Sequence, residues 1–126
     1  MTTHQFNQMV MKPRTSVHAV SYVNCLRQQP SRADQVGAAN WFISHSWSAA
    51  ISDTIDSVLD FFQSQPNSSD AVVWFDIFCT YQNTSAGVSK PSSWFMTTFQ
   101  SAIANMGNLL LSIDNWKDPK PLERAW

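Results

Sequence analysis

The 126-residue sequence has little charge, and this scarcity excludes several classes of protein. Asp, Glu, Lys and Arg make up 13% of the residues, about half the usual share, and the net charge is −1. The Lys and Arg residues are scattered without a basic stripe, which argues against a nucleic-acid or anionic-membrane surface. No apolar run is long enough to cross a bilayer, and no signal segment follows Met1. We therefore expect a cytoplasmic protein that contacts neither nucleic acid nor membrane.

Glycine and cysteine are also scarce. The three glycines (Gly37, Gly87 and Gly107) form neither a P-loop nor a dinucleotide-binding fingerprint, and no Gly-x-Ser-x-Gly nucleophile motif is present. Cys25 and Cys79 lie far apart in apolar surroundings, outside any Cys-x-x-Cys pair. We expect two reduced, buried thiols and no bound metal. The sequence identifies no catalytic residue.

The segment Trp41-Phe42-Ile43-Ser44-His45-Ser46-Trp47 organises the rest of the chain. Its apolar start passes into a polar turn, and an amphipathic helical pattern begins near Ser48 and ends before Pro66. This succession is typical of a buried parallel strand that enters a crossover helix. We therefore predict a strand over Trp41–Ser44, with the next residues at the ligand-binding end of a parallel sheet.

The same pattern recurs downstream. Val72–Asp76 and Leu109–Ile113 are predicted strands, with a helix over 95–106 between them and an earlier helix from Thr15 or Ser16 to Arg27. Repeated strand–helix–strand units predict an α/β fold with a doubly wound parallel sheet and helices on both faces. Residues 1–14 are predicted to form a disordered or loose arm, and residues 15–126 the domain.

The carboxyl ends of three parallel strands would share one rim of the sheet. His45, Ser46 and Trp47 follow the first predicted strand, Asp76 ends the second, and Trp116 follows the third. These side chains could stack a planar ring and hydrogen-bond a ribose. Alternatively, the tryptophans cover the end of the sheet and the aspartates cap the segments that follow. The pattern alone favours this second interpretation.

Four stretches resemble segments of a known family. They are Phe42-Ile43-Ser44-His45-Ser46-Trp47, Trp74-Phe75-Asp76-Ile77-Phe78-Cys79, Leu109 to Ser112, and Arg124-Ala125-Trp126. Their order and spacing resemble the TIR-like domains of protist and algal proteins over roughly residues 21–126. The second stretch, with Gln82, is also similar to the fungal heterokaryon-incompatibility domain, which is itself TIR-like.

This resemblance implies a flavodoxin-like sheet, with the three strands present here in the order 2-1-3. It also implies a signalling module that associates with itself or with other TIR-like domains and binds NAD-type nucleotides when complete. The alternative is an NAD glycohydrolase that cleaves the nicotinamide–ribose bond. The resemblance places Trp126 in a Trp-x-x-x-Glu segment whose catalytic Glu would lie beyond this chain, so we expect a C-terminally truncated domain. The candidate nucleotide-binding residues are then His45, Ser46, Trp47, Asp76, Trp116 and Trp126, with NAD as ligand or substrate and no separate cofactor.

Overall fold

The centre of the fold is a three-stranded, all-parallel β-sheet. The computed structural model of the chain describes residues 1–83 and 92–123. Strand β1 (Trp41–Ser44) lies in the middle, with β2 (Val73–Trp74) on one side and β3 (Leu109–Leu111) on the other. Trp41 pairs with Val73, and Phe42 pairs with Leu109. The predicted α/β fold and the strand order 2-1-3 are therefore confirmed.

The outer strands are shorter than predicted. β2 ends at Trp74, because the chain turns into the short helix α4 (Asp76–Cys79) and the Asp76 carboxylate accepts a hydrogen bond from the amide of Ile77. Hydrogen bonding between the Asp76 side chain and its neighbouring backbone competes with strand pairing. Asp76 therefore begins a helical turn, whereas the sequence predicted the last residue of a strand.

Two longer helices connect the strands. Helix α3 (Ile51–Gln63) follows β1 as predicted, and Ala50 occupies its N-cap position without a side-chain hydrogen bond. Before β3 lies helix α5, which comprises Ser92–Trp94, the π-helical Phe95–Phe99 and Gln100–Met106. It ends at Gly107, whose φ of 81° is in the left-handed region that glycine adopts without steric cost.

The N-terminal residues differ most from the prediction of a loose arm. They form helix α1, with the consecutive segments Thr3–Phe6, Asn7–Met11 (π-helical) and Lys12–Ser16. A capping box formed by Thr2 and Gln5 opens the helix, and Met11 is only 2% exposed. The helix expected to run from Thr15 or Ser16 is interrupted by a turn, and a new helix, α2 (Tyr22–Arg27), begins at the Ser21 cap. Helix α1 is ordered because its buried side chains, such as Met11, pack against the rest of the chain.

The core lies between the sheet and the flanking helices. Its main cluster of buried apolar side chains consists of Met11 of α1, Ile43 of β1, Ile51 and Val58 of α3, Phe75 just after β2, and Ile77 of α4. On β1, Trp41 contacts Phe61 and Phe62 of α3, whereas the next side chain, Phe42, contacts Phe99 of α5. Coverage of both faces of the whole sheet by helices stays a prediction.

Candidate functional site

Asp76 is the centre of a hydrogen-bonded cluster at the carboxyl end of the sheet. Its Oδ1 lies 2.9 Å from Nε2 of His45, and its Oδ2 accepts a 2.7 Å hydrogen bond from the indole N–H of Trp47. The amide of Ile77 donates to Oδ1 at 2.7 Å. His45 and Trp47 directly follow β1, and Asp76 follows the neighbouring strand β2. The parallel pairing of these strands therefore brings together residues that are 29 and 31 positions apart.

The cluster is largely withdrawn from solvent. His45 is 1% exposed, and the side chain of Asp76 is 24% exposed. Burial by itself would raise the pKa of the Asp76 carboxyl, but the hydrogen bond and charge of His45, with the donors of Trp47 and Ile77, outweigh it and lower the pKa below its ordinary value. Asp76 is therefore an ionised acceptor at neutral pH.

The surroundings of His45 indicate which ring nitrogen carries the proton. Nε2 faces the Asp76 carboxylate and therefore donates to it. Nδ1 is buried and has no hydrogen-bond partner among the described residues, while the ring packs edge-on against Phe75 with centroids 4.6 Å apart. The hydrogen bond to the ionised Asp76 therefore places a proton on Nε2.

Helix α1 covers this end of the sheet. The amide of Thr3 donates to the carbonyl of Ala49 at 3.0 Å, and that of His4 donates to the carbonyl of Trp47 at 3.1 Å. The rings of His4 and Trp47 meet edge-on with centroids 5.1 Å apart. Helix α1 therefore lies over the rim that holds candidate nucleotide-binding residues.

A second set of polar contacts joins α1 to the loop after α4. Asn7 Nδ2 donates to Gln82 Oε1 at 3.1 Å, and Gln82 Nε2 donates to the carbonyls of Asp76 and Thr80. Asn83 Nδ2 donates to the carbonyl of Lys12. None of these residues is among the six predicted site residues, and nothing in the sequence pairs a position in α1 with one more than 70 residues away.

The structure brings three of the six predicted site residues together: His45, Trp47 and Asp76. Ser46 is buried, but its Oγ lies 2.8 Å from Ser48 Oγ and it does not join the cluster around Asp76. Trp116 is 79% exposed, and its ring lies 5.6 Å from Nζ of Lys117. Trp126 lies outside the described residues. Within residues 1–83 and 92–123, the site is therefore a compact cluster of three side chains that Ser46 and Trp116 do not join.

Other candidate sites lie elsewhere. An apolar cavity of about 350 Å³ lies between α2 and α3, with Leu26, Ile55 and Phe78 in its wall. Both cysteines are free thiols: Cys25 is buried as predicted, whereas Cys79 is half-buried. The described residues contain no group of three or more His, Cys, Asp or Glu side chains that could hold a metal ion. Within residues 1–83 and 92–123, no helix combines the length and apolar character needed to cross a bilayer.

Comparison with known proteins adds no relative to this description. No family model, no curated protein and no solved structure matches the chain. The family resemblance of the four sequence stretches therefore stays a prediction.

Proposed function

We propose that this chain is a TIR-like signalling module that acts by self-association. The resemblance implies a central β1 flanked by β2 and β3 in a parallel sheet, and the fold is consistent with that arrangement. The cluster around Asp76 supports an interaction module more than a nucleotide enzyme, because its polar groups bind one another and α1 lies over them.

The observation that carries this proposal is the outer edge of β3. This strand pairs with β1 on one side, and within the described residues no strand pairs with its other side. Leu109 is 51% exposed, and Ile113 and Trp116 add exposed apolar surface just after the strand. An apolar strand edge with free backbone donors and acceptors is a template for pairing with another chain. The low charged fraction provides little repulsion to oppose association.

A matched pair of leucine substitutions tests the proposal. Leu109→Lys places a charge on the β3 edge, where lysine disfavours strand pairing. Leu59→Lys is the control, because Leu59 is 53% exposed on α3, away from this edge. Burial of one leucine side chain contributes about 1.5–3 kcal/mol, so Leu109→Lys should weaken association by about tenfold or more. Light scattering over a concentration series measures the effect.

The control should associate like the unsubstituted chain. Equal weakening by both substitutions would indicate nonspecific apolar contact and contradict a role for the β3 edge. An unsubstituted chain that stays monomeric at high concentration would contradict self-association itself. Circular dichroism on both variants establishes that the fold is retained.

An NAD glycohydrolase is the second candidate. It is favoured by the meeting of His45, Trp47 and Asp76 at the carboxyl end of parallel strands, where sheets of this kind bind ligands. A carboxylate and an indole ring could contact the ribose and the nicotinamide. Both oxygens of Asp76 are already engaged, however, so a bound nucleotide would have to replace these bonds and displace α1.

Nicotinamide release from NAD separates the two candidates. A glycohydrolase whose reaction is carried by Asp76, and not by a Glu beyond this chain, predicts turnover that Asp76→Asn abolishes, whereas the self-association module predicts no turnover by this chain. Release that survives Asp76→Asn would contradict the assignment of Asp76 to the reaction. Retention of self-association in the same samples shows that any loss is not caused by unfolding.

A further inference from the structure

The acidic residues of this chain are absent from its N-terminal region. The first 33 residues contain four basic residues (Lys12, Arg14, Arg27 and Arg32) and no acidic one, whereas all nine acidic residues lie from Asp34 onward. A net charge of −1 therefore conceals a basic N-terminal region. Helices α1 and α2, with the turns that follow them, carry this positive charge.

Folding brings two of these basic residues to one cavity. The cavity has a volume of about 310 Å³ and lies where the end of α1 meets α2. Arg14 and Arg32 line it although they are 18 positions apart, and His18, Tyr22 and Gln29 provide its other polar side chains. Its volume is near the lower end of the range for small-molecule sites, about 300–1,000 Å³.

The two guanidinium groups have no counter-charge at this cavity. No Asp or Glu lines it, and neither the Arg14 nor the Arg32 side chain forms a hydrogen bond or ion pair with another described residue. Arg27, in contrast, donates to Asn24 Oδ1 at 3.1 Å. The cavity thus combines two free, forked cationic donors with neutral donors nearby, and it has no group that would attract a cation.

We propose that this cavity binds a small soluble ligand through a phosphate group. The planar fork of arginine matches the oxygens of phosphate bidentately, and two such forks can hold one phosphate from two sides. His18 and Gln29 add hydrogen-bond donors beside them, while Cys25 and Leu26 provide an apolar wall for the remainder of the ligand. This site is separate from the cluster around Asp76 and does not depend on the function proposed above.

A structural role predicts different behaviour. Arg14 lies in the last turn of α1, where a cation interacts favourably with the helix dipole. If that were its only role, Arg14→Gln would lower helix stability without changing any response to phosphate. Binding measurements therefore separate the two roles.

The test is a titration of the full chain with inorganic phosphate and pyrophosphate, followed by ¹⁵N NMR at constant ionic strength. Saturable shifts should concentrate on amides of residues 14–32. The double variant Arg14→Gln/Arg32→Gln should weaken binding by about tenfold or more. The control variant Lys12→Gln/Arg27→Gln removes two other positive charges from the same region of the chain. It should change the affinity for phosphate by less than about twofold. A charge-preserving variant, Arg14→Lys/Arg32→Lys, should bind more weakly than the unsubstituted chain, because lysine lacks the bidentate fork.

Several outcomes would overturn the proposal. The first is that the unsubstituted chain gives no saturable response to either anion at concentrations on the order of 10 mM. Equal losses in the two charge-matched double variants would indicate diffuse attraction rather than a site. Unchanged phosphate binding by the lysine variant would contradict bidentate recognition. Because the lysine variant keeps both charges, it still tests the proposal if the glutamine variant fails to fold. Binding to vesicles that contain phosphatidic acid, without binding to soluble phosphates, would contradict a soluble ligand.

Discussion

Removal of the negative charge of Asp76 should destabilise the fold more than any other single loss of charge at the rim. In Asp76→Asn the side-chain shape is retained, but the amide has one acceptor oxygen where the carboxylate has two. The best orientation keeps that oxygen toward His45 and the Ile77 amide and turns the NH₂ group toward the indole N–H of Trp47. One half-buried donor then loses its acceptor, and two bonds lose their charge.

The expected loss follows from these bonds. An unsatisfied buried donor costs about 1–3 kcal/mol, and the half-buried indole N–H of Trp47 should cost about 1–2 kcal/mol. Charge-assisted hydrogen bonds are roughly twice as strong as neutral ones, so the other two bonds each weaken by about 0.5–1 kcal/mol. We expect the free energy of unfolding to fall by about 2–4 kcal/mol. This would be a large part of the roughly 5–15 kcal/mol typical of a domain.

Urea unfolding followed by tryptophan fluorescence measures this loss, with Asp56→Asn as the matched control. Asp56 is exposed on α3, so its substitution should change the free energy of unfolding by no more than about 0.5 kcal/mol. The contribution of Asp76 should also depend on pH. Because its folded pKa is lowered, this contribution is present above the ordinary carboxyl pKa and is lost as the pH falls through the lowered value. A loss below about 0.5 kcal/mol for Asp76→Asn at neutral pH would refute the reasoning.

Three further predictions concern packing, backbone conformation and thiol reactivity. Met11→Ala should lower the free energy of unfolding by about 2–5 kcal/mol in urea titrations, because Met11 is 2% exposed, whereas Met9→Ala should have little effect because Met9 is 66% exposed. Equal effects would contradict the ordered α1. Gly107→Ala should cost about 1–2 kcal/mol in thermal unfolding, since its φ is positive, while Gly37→Ala, whose added Cβ meets only ordinary contacts, should be close to neutral. Burial raises the pKa of the Cys79 thiol, so alkylation of Cys79, followed by mass spectrometry, should be slower at pH 8 than that of a free cysteine peptide. Faster alkylation would contradict this environment.

The elements with strong local patterns were predictable from the sequence. The predicted strand Trp41–Ser44 matches β1 residue for residue, because an apolar run followed by polar residues marks where a buried strand ends. The spacing of Ile51, Ile55 and Val58 predicted α3 for the same reason. In each of these segments, the local sequence pattern alone indicates the secondary structure that the fold contains.

Helix α1 could not be predicted in this way. Its buried side is formed by Thr3, Asn7, Met11 and Thr15, at a regular spacing of four residues, but only one of them is apolar. The buried side of α1 therefore has no apolar periodicity that would predict a helix. Proline is also unfavourable inside a helix, but the structure accommodates Pro13 next to a π-helical turn. Tertiary contacts, such as Asn83 with the carbonyl of Lys12, supply what the local pattern lacks.

The positions of rim residues were predictable for residues that directly follow a strand. They were not predictable for residues that lie several positions after the strand. His45 follows Ser44, the last residue of β1, and Asp76 follows β2 by one intervening residue, so the strand pairing alone places them side by side. Trp116 lies five positions after β3, and the intervening chain carries it to the surface. The position of α1 over the rim depends on backbone contacts, including Thr3 with Ala49, that no pattern encodes. Since the carbonyl of Trp47 accepts a hydrogen bond from the amide of His4 while its indole binds Asp76, a ligand that entered this rim would have to compete with α1.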